Sequence, residues 1–190
     1  MRKTITILLT AFLLTGCGVI GDKGIDGALS GGNTQIEDSS SSDPQTYEGE
    51  LGEKMSTMFF DFTVTDAYLS DSIGDVMPQD GNTFLVTEVT VKNTTEKDFS
   101  MFSTDFYLYY GNGEDDYALP RVYDDPDTLI MDGEFEDEYT LASGKQVSGY
   151  LIYEVPAGLN TFLISAEDIY TDSDGEEYYG DFYDVYIELQ

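Results

Sequence analysis

The sequence contains no histidine and no tryptophan, and Cys17 is its one cysteine. A chain without histidine cannot build a Ser-His-Asp triad or bind a metal ion through imidazole. Because one cysteine cannot form a disulfide within the chain, the fold has to be stabilised by its core alone. No pairing of a base with a nucleophile stands out among the remaining residue types, so we expect a protein that is not an enzyme.

Basic residues are also scarce. The 190 residues include 8 Lys and Arg against 38 Asp and Glu, which gives a formal net charge of −30. Contacts to the phosphates of DNA or RNA need clustered Lys and Arg, so nucleic acid is not an expected partner. The same charge disfavours adsorption to bare anionic lipid, and it favours solubility and a loose accumulation of cations.

The longest apolar run, Ile5–Leu14, is too short to cross a bilayer, which needs about 20 residues. It follows the basic pair Arg2 and Lys3 and leads into Thr15-Gly16-Cys17. A basic start, a short apolar core and small residues at the end are typical of a secretory signal peptide. The ending Leu14-Thr15-Gly16-Cys17 resembles the lipobox of bacterial lipoproteins, in which the cysteine follows a small residue.

The lipobox resemblance implies that residues 1–16 are removed and that Cys17 becomes the new N-terminus. Its sulfur would carry diacylglycerol, with palmitate among the acyl chains, and two or more acyl chains anchor a protein stably. The implied location is the extracytoplasmic face of the cell membrane of a Gram-positive bacterium, with the membrane as a partner through the lipid. The alternative is an ordinary signal peptide followed by an unrelated cysteine.

Residues 17–54 are poor in large apolar side chains and contain the run Ser39–Ser42. Such a segment cannot bury enough apolar surface to offset the entropy lost on ordering. We therefore predict a disordered acidic tether, with an end-to-end distance of roughly 35 Å. A short helix over Tyr47–Met55 is the alternative for its last part.

From Met55 to Gln190, apolar and polar residues alternate with a period of two, which is typical of half-buried β-strands. We predict an all-β domain over 55–190, a β-sandwich of seven or eight mostly antiparallel strands, because each strand has one apolar face to cover. Loops are expected over Ser70–Asn82 and over the acidic insert Glu114–Glu138. The predicted strands are Met58–Thr65, Thr83–Asn93, Phe99–Phe102, Phe106–Tyr110, Tyr139–Leu141, Val147–Val155, Thr161–Ser165 and Tyr183–Leu189.

Several of these segments resemble the immunoglobulin-like domain of Gram-positive surface lipoproteins known as DUF4352. The resemblance covers most of the domain and consists of strand cores and turns. It implies an immunoglobulin-like β-sandwich and export from the cell, and it brings no catalytic residues and no established activity. The matching segments are Asp80–Val86, Val89–Thr94, Phe106–Leu108, Leu141–Leu151 and Tyr153–Pro156.

One acidic turn has the residue types of a calcium site. Asp172, Asp174 and Glu176 offer the hard oxygen ligands that Ca²⁺ prefers. Their spacing departs from the EF-hand loop, whose first ligand position would fall on Tyr170. Two interpretations stay open. One is a solvated acidic turn without a cofactor, and the other is a Ca²⁺-responsive module in which cations order this turn and the loop Glu114–Glu138.

Four tyrosines, Tyr107, Tyr109, Tyr150 and Tyr186, fall opposite the aliphatic faces of the predicted strands. Exposed aromatic side chains can bind glycans or proteins, but in a two-sheet fold they also cover sheet edges and second faces. The function we predict is that of a lipid-anchored cell-envelope protein whose immunoglobulin-like domain acts in binding or as an adaptor for a protein or glycan partner. The alternative is the Ca²⁺-responsive module.

Overall fold

The computed structural model describes residues 44–113, 115–121, 129–171 and 177–190. The predicted signal peptide, Cys17 and the tether up to residue 43 lie outside these described residues, and so do Asp172, Asp174 and Glu176. In the described part of the chain, no helix is long and apolar enough to cross a membrane.

The described residues form eleven β-strands and one short 3₁₀ turn, Ser103–Asp105. Every strand predicted from the alternating pattern has a counterpart, and the additional strands are short. The strands are β1 Thr46–Glu50, β2 Lys54–Ser56, β3 Phe60–Ser70, β4 Asn82–Asn93, β5 Phe99–Phe102, β6 Phe106–Tyr109, β7 Tyr117–Ala118, β8 Glu138–Leu141, β9 Gln146–Pro156, β10 Thr161–Thr171 and β11 Glu177–Glu188.

The strands form a five-stranded sheet with the order β1-β11-β10-β6-β7, a four-stranded sheet with the order β2-β3-β4-β9, and the pair β5-β8. All pairings are antiparallel except that of β1 with β11, which is parallel. The predicted fold class, an all-β sandwich of mostly antiparallel strands, is confirmed.

The core lies between the two large sheets and is rich in aromatic residues. The rings of Phe60, Phe62 and Phe106 meet with centroids 5.4–6.1 Å apart at tilted or edge-on angles. Strand β9 contributes the fully buried Tyr153, whose hydroxyl donates to the Phe106 carbonyl at 3.3 Å. Full burial of one large apolar side chain stabilises a fold by about 1.5–3 kcal/mol, so this layer holds the sheets together without a disulfide.

The sandwich begins earlier in the sequence than predicted. Strand β1 pairs in parallel with Phe182–Tyr186 of β11, and β2 buries Met55 against the core. The boundary at Met55 and the helix over Tyr47–Met55 were therefore wrong. Strand β1 is held mainly by backbone hydrogen bonds to a neighbouring strand, and Tyr47 stacks on Tyr183 at 5.3 Å. Composition alone does not show such pairing, because few of the strand's side chains are buried.

Strands β10 and β11 extend beyond the predicted segments, as far as the pair Thr171↔Glu177. In this extension, side chains leave the core and become exposed. Tyr170 and Tyr178 stack across the two strands with centroids 5.1 Å apart and ring planes at 10°. Cross-strand aromatic contacts of this kind stabilise a ribbon that buries little else.

A second apolar cluster lies on the outer face of the four-stranded sheet. Its buried members are Phe84, Val86 and Ile152, and we call it the outer cluster. Residues of two loops, among them Ile73 and Met131, pack over it. The run Phe84-Leu85-Val86 thus belongs to a strand that is buried on both faces, which is why it reads as continuous apolar sequence.

The acidic insert is anchored to the exposed edge of β9 by backbone hydrogen bonds. The N–H of Arg121 donates to the Ile152 carbonyl at 2.8 Å, and the Arg121 guanidinium lies 5.3 Å from the Phe84 ring centre. Further along, the N–H of Tyr150 donates to the Gly133 carbonyl at 2.9 Å, and the N–H of Phe135 donates to the Tyr150 carbonyl at 3.0 Å. Residues 129–135 of the insert therefore cover the outer cluster with irregular backbone, whereas Tyr117–Ala118 form β7 in the other sheet.

Candidate functional site

A large groove opens at the end of the sandwich where β3 begins and β4 ends. It has a volume of about 880 Å³, and we call it the groove. Residues of β5, of the turn before β5 and of the far end of β10 line it. Ligand sites in proteins typically have volumes of about 300–1,000 Å³, so the groove is large enough for a small molecule or a short peptide segment.

Two strand edges face this groove. Strand β6 pairs with β10 only from Leu163 to Ala166, so Glu167–Tyr170 pair with no described strand on that side. Strand β5 pairs with β8 on one side, and its other side meets no strand among the described residues. Unpaired strand edges present a row of backbone donors and acceptors, which another extended segment can pair with.

Asp168 holds residues 57–59 in place beside the groove. The N–H of Met58 donates to both of its carboxylate oxygens at 3.1 Å, and the Tyr183 hydroxyl donates to Oδ2 at 3.0 Å. Asp168 is only 3% exposed, so the hydrogen bonds that its oxygens accept come from these protein donors. Burial, followed by the bond to Asp168, raises the pKa of Tyr183 well above its usual range. The contact ties residues 57–59 to β10 and places Phe59 in the groove.

The opposite wall is a turn built around the fully buried Asn93. Its amide nitrogen donates to the carbonyls of Lys97 at 2.8 Å and Leu141 at 2.9 Å, and its oxygen accepts from the N–H of Thr95 at 2.7 Å. Every polar atom of this side chain is therefore satisfied. A turn fixed in this way holds one wall of the groove in place.

The rim of the groove is apolar and exposed. Phe102 is 41%, Ile169 43% and Tyr170 38% exposed, and all three line the groove. Met58, in the segment that Asp168 fixes, is 60% exposed. Single exposed apolar residues are ordinary on protein surfaces, but a contiguous group of them marks a binding surface.

The same groove carries negative charge. Its lining includes Glu96, Asp98, Asp105 and Glu167 against one basic residue, Lys97. Burial raises the pKa of Asp105, although its Oδ2 accepts a hydrogen bond of 2.8 Å from the Phe102 N–H, which lowers the pKa in part. Burial also raises the pKa of Glu167. Burial disfavours the charged form of both carboxylates, and a bound cation would stabilise that form.

None of the site residues predicted from the sequence belongs to the described part of the chain. Cys17, Asp172, Asp174 and Glu176 lie outside the described residues. Within the described ranges, no three Cys, Asp or Glu residues come together as a group that could hold a metal ion. The calcium hypothesis therefore rests only on the residue types of this acidic turn in the sequence.

The four tyrosines singled out from the sequence do not form one surface. Tyr107, Tyr109 and Tyr186 belong to the five-stranded sheet, whereas Tyr150 lies on β9 and packs against the outer cluster. Tyr107 lines the groove, and the hydroxyl of Tyr186 donates to Glu48 Oε1 at 3.0 Å. Only one of the four is thus part of the candidate site.

Sequence reasoning missed the groove itself. One available signal was the segment Phe99-Ser-Met-Phe102. It has large apolar residues at odd and even positions, so a strand cannot bury all of them on one face. Met101 is buried, whereas Phe102 is exposed at the groove. The second signal was the pair Ile169-Tyr170, which follows the acidic residues Glu167 and Asp168.

Comparison with known proteins places these observations in a family. A solved structure from Bacillus subtilis, of the protein ycdA, described as a candidate lipoprotein, matches with a TM-score of 0.52 and 20% identity, and the match covers 73% of this chain. This chain spans only 39% of that protein. The likeness shows a shared fold.

Two further solved structures are similar at lower scores. An uncharacterized β-sandwich protein from Clostridium difficile 630 has a TM-score of 0.48 and 13% identity, with 77% of this chain and 97% of that chain covered. The yjhA protein of Bacillus subtilis has a TM-score of 0.46 and 21% identity, with coverages of 75% and 99%. Among curated proteins, no match is found.

A family model also matches this chain. The model of a domain of unknown function, DUF4352, matches residues 49–176, which is more than half of the chain. The match begins inside β1 and so agrees with the early start of the sandwich. The resemblance seen in the sequence is confirmed: this chain belongs to the DUF4352 family.

Proposed function

We propose that this chain is a lipid-anchored protein of the cell envelope whose β-sandwich binds a partner through the groove. The anchor is the lipid on Cys17, and the location is the extracytoplasmic face of the membrane of a Gram-positive bacterium. This part of the proposal is supported by the sequence Leu14-Thr15-Gly16-Cys17 after a short apolar run. The domain acts by binding, without catalysis and without a resident cofactor.

The observation that carries the binding role is the open apolar rim of the groove. The sandwich buries its core fully and covers the outer cluster with its own loops, yet Phe102, Ile169 and Tyr170 stay exposed together. Exposed apolar surface costs free energy in water at about 25 cal/mol per Å². A partner that covers this rim recovers that free energy, which favours the groove as the binding surface.

The anchor is tested by replacing Cys17 with serine and following the protein in fractionated cells. We expect the wild-type chain to sediment with membranes and to incorporate labelled palmitate, and the Cys17→Ser chain to do neither. A variant that stays in the membrane fraction in wild-type amount would rule out lipid anchoring at Cys17.

The binding role is tested by site-specific cross-linking in the producing cell. A photo-reactive benzoylphenylalanine replaces Phe102 in the groove or, as the control, Met77, which is 67% exposed in the loop between β3 and β4 at the other end of the strands. We expect a discrete cross-linked product from position 102 and none from position 77. No product from either position, or the same products from both, would contradict binding through the groove.

A further inference from the structure

The groove combines features that together define the chemistry of its occupant. It has two strand edges that pair with no described strand, an apolar rim and an excess of carboxylates. We propose that it binds an extended cationic peptide segment, which pairs with one of the strand edges and alternates apolar with Lys or Arg side chains. This inference rests on the proposed binding function and names the class of partner.

The strand edges determine the conformation of the partner. An extended peptide that adds itself to an exposed edge gains main-chain hydrogen bonds along its length. The template is Glu167–Tyr170 of β10, because the Phe102 N–H of β5 already donates to Asp105. A compact small molecule would satisfy only a few of these donors and acceptors. Successive side chains of a strand point to opposite faces, so an alternating partner presents its apolar side chains to one surface and its charges to another.

The lining offers both kinds of contact that such a partner needs. Phe102, Ile169 and Tyr170 supply surface for the apolar side chains of the partner. Asp105 and Glu167 supply negative charge, and each is partly buried, so a Lys or Arg beside them interacts through a medium less polar than water. Lys97 is the single basic residue in the lining.

Charge also decides between a foreign segment and a second copy of this chain. From Met55 onward the domain has 30 acidic and 4 basic residues, a formal charge of −26. Two copies joined edge to edge at the groove would bring like charges together, which costs free energy at short range. A cationic segment is attracted by the same field, and its association rate rises accordingly.

The experiment uses the mature chain from residue 17 with Cys17→Ser, so that no lipid or detergent competes for the probes. Four capped octapeptides are titrated by calorimetry at about 0.15 M salt, where long-range charge effects are screened. They are an alternating Lys-Leu peptide, a Lys-Ser peptide of the same charge, a Glu-Leu peptide, and a Lys-Leu peptide methylated on alternate backbone nitrogens. We expect the first to bind, the Lys-Ser and methylated peptides to bind at least about tenfold more weakly, and the Glu-Leu peptide not to bind.

Matched variants locate the binding. Phe102→Ser with Ile169→Ser removes rim surface, whereas Met77→Ser removes exposed apolar surface elsewhere. Asp105→Asn with Glu167→Gln removes two charges from the groove, whereas Asp71→Asn with Asp75→Asn removes two from the loop between β3 and β4. We expect the groove variants to weaken binding of the Lys-Leu peptide at least about tenfold and the controls to change it less than twofold, with melting temperatures measured for all.

Several outcomes would overturn the inference. Equal binding of the Lys-Leu and Lys-Ser peptides would mean that charge alone attracts them. Equal loss in groove and control variants would place the binding elsewhere, and undiminished binding of the methylated peptide would exclude pairing with a strand edge. A cross-link at position 102 in cells, combined with no binding of the Lys-Leu peptide, would contradict the cationic partner while leaving the binding function intact.

Discussion

Two apolar surfaces among the described residues lie outside the main core, and only one of them is covered. The outer cluster of Phe84, Val86 and Ile152 is fully buried beneath two loops of the same chain. The groove has a comparable set of side chains, Phe102, Ile169 and Tyr170, but no described segment covers them. The chain can thus cover an apolar surface with irregular backbone. That it covers the outer face of the four-stranded sheet and leaves the groove at the end of the sandwich open favours a functional reason for the open surface.

The largest expected difference between the two surfaces is in stability. Phe84→Ala removes a fully buried ring and the surface on which Arg121 lies, so we expect a loss of about 3–5 kcal/mol in the free energy of unfolding. Phe102→Ala removes a ring that is 41% exposed, and we expect a loss below about 1 kcal/mol. Urea denaturation of both variants measures this contrast. Equal losses would mean that the groove is as much a part of the structural core as the outer cluster.

A second prediction breaks the cover of the outer cluster directly. A Cβ placed on Gly149 would lie 2.8 Å from the Gly133 carbonyl oxygen and 3.1 Å from the Phe135 ring. Because the first of these atoms is backbone, Gly149→Ala has to displace the insert from β9, and we expect a loss of about 1–3 kcal/mol.

The control for Gly149→Ala is Ser148→Ala, which changes an exposed neighbour on the same strand. Hydrogen exchange at the N–H groups of Phe135 and Tyr150, which hold the insert to β9, should quicken in the glycine variant and not in the control. Unchanged exchange in both variants would mean that the insert is held by other contacts.

A third prediction concerns a group that the groove keeps at a cost to the fold. The pKa of Asp105 is raised by burial, so the folded state favours its neutral form. The contribution of this carboxyl to the free energy of unfolding is fully present below the unfolded pKa. It is lost as the pH rises through the folded pKa. Asp105→Asn should therefore raise the melting temperature at neutral pH, and the difference from wild type should shrink as the pH falls.

Asp61 serves as the control, because its pKa is shifted in the opposite direction to that of Asp105. Burial raises its pKa, but hydrogen bonds from Lys54 and Ser56 and the charges of Lys54 and Lys92 together lower it below the usual value. Its contribution is present above the unfolded pKa and is lost as the pH falls through the folded pKa, so Asp61→Asn should lower the melting temperature at neutral pH. If the melting temperatures of Asp105→Asn and Asp61→Asn changed in the same direction, the prediction that the charge of Asp105 destabilises the fold would be wrong.

The smallest expected effect is that of calcium. A ligand at one hundred times its dissociation constant stabilises a one-site protein by about 2.7 kcal/mol. For this chain we expect Ca²⁺ and Mg²⁺, at matched ionic strength, to shift the melting temperature equally, because both only screen the acidic surface. A shift specific to Ca²⁺ that disappears in Asp172→Asn with Asp174→Asn would instead support the calcium-responsive module.

The body of the sandwich was predictable because its strands bury alternate side chains. In β3, Phe60, Phe62 and Val64 face the core, while the residues between them are less buried. Strand β1 was not predictable in the same way, because its stability comes from pairing with β11 and its side chains are mostly exposed. A pattern of hydrophobic residues reports burial, and it says nothing about which backbone will be a neighbour.

The groove was hidden for a related reason. Whether Phe102 and Ile169 are buried or exposed depends on where β6 stops pairing with β10, a property of the assembled sheets. The same residue types are buried at Phe84 and Ile152, so composition does not separate the two cases. The continuous run Phe84-Leu85-Val86 did contain the information that β4 needs a cover on both faces.

The parallel pairing of β1 with β11 has a mechanical consequence. With the lipid at Cys17 as proposed, any pull between the membrane and a partner held in the groove enters the domain through Thr46, the first residue of β1. The register places Thr46 opposite Phe182 and Phe182 opposite Glu167, so β1 begins at the end of the sheet that carries the groove edge of β10. Such a pull is therefore borne by β1, β11 and β10 at this end, beginning with the pair Thr46↔Phe182, and the rest of the sandwich carries little of it.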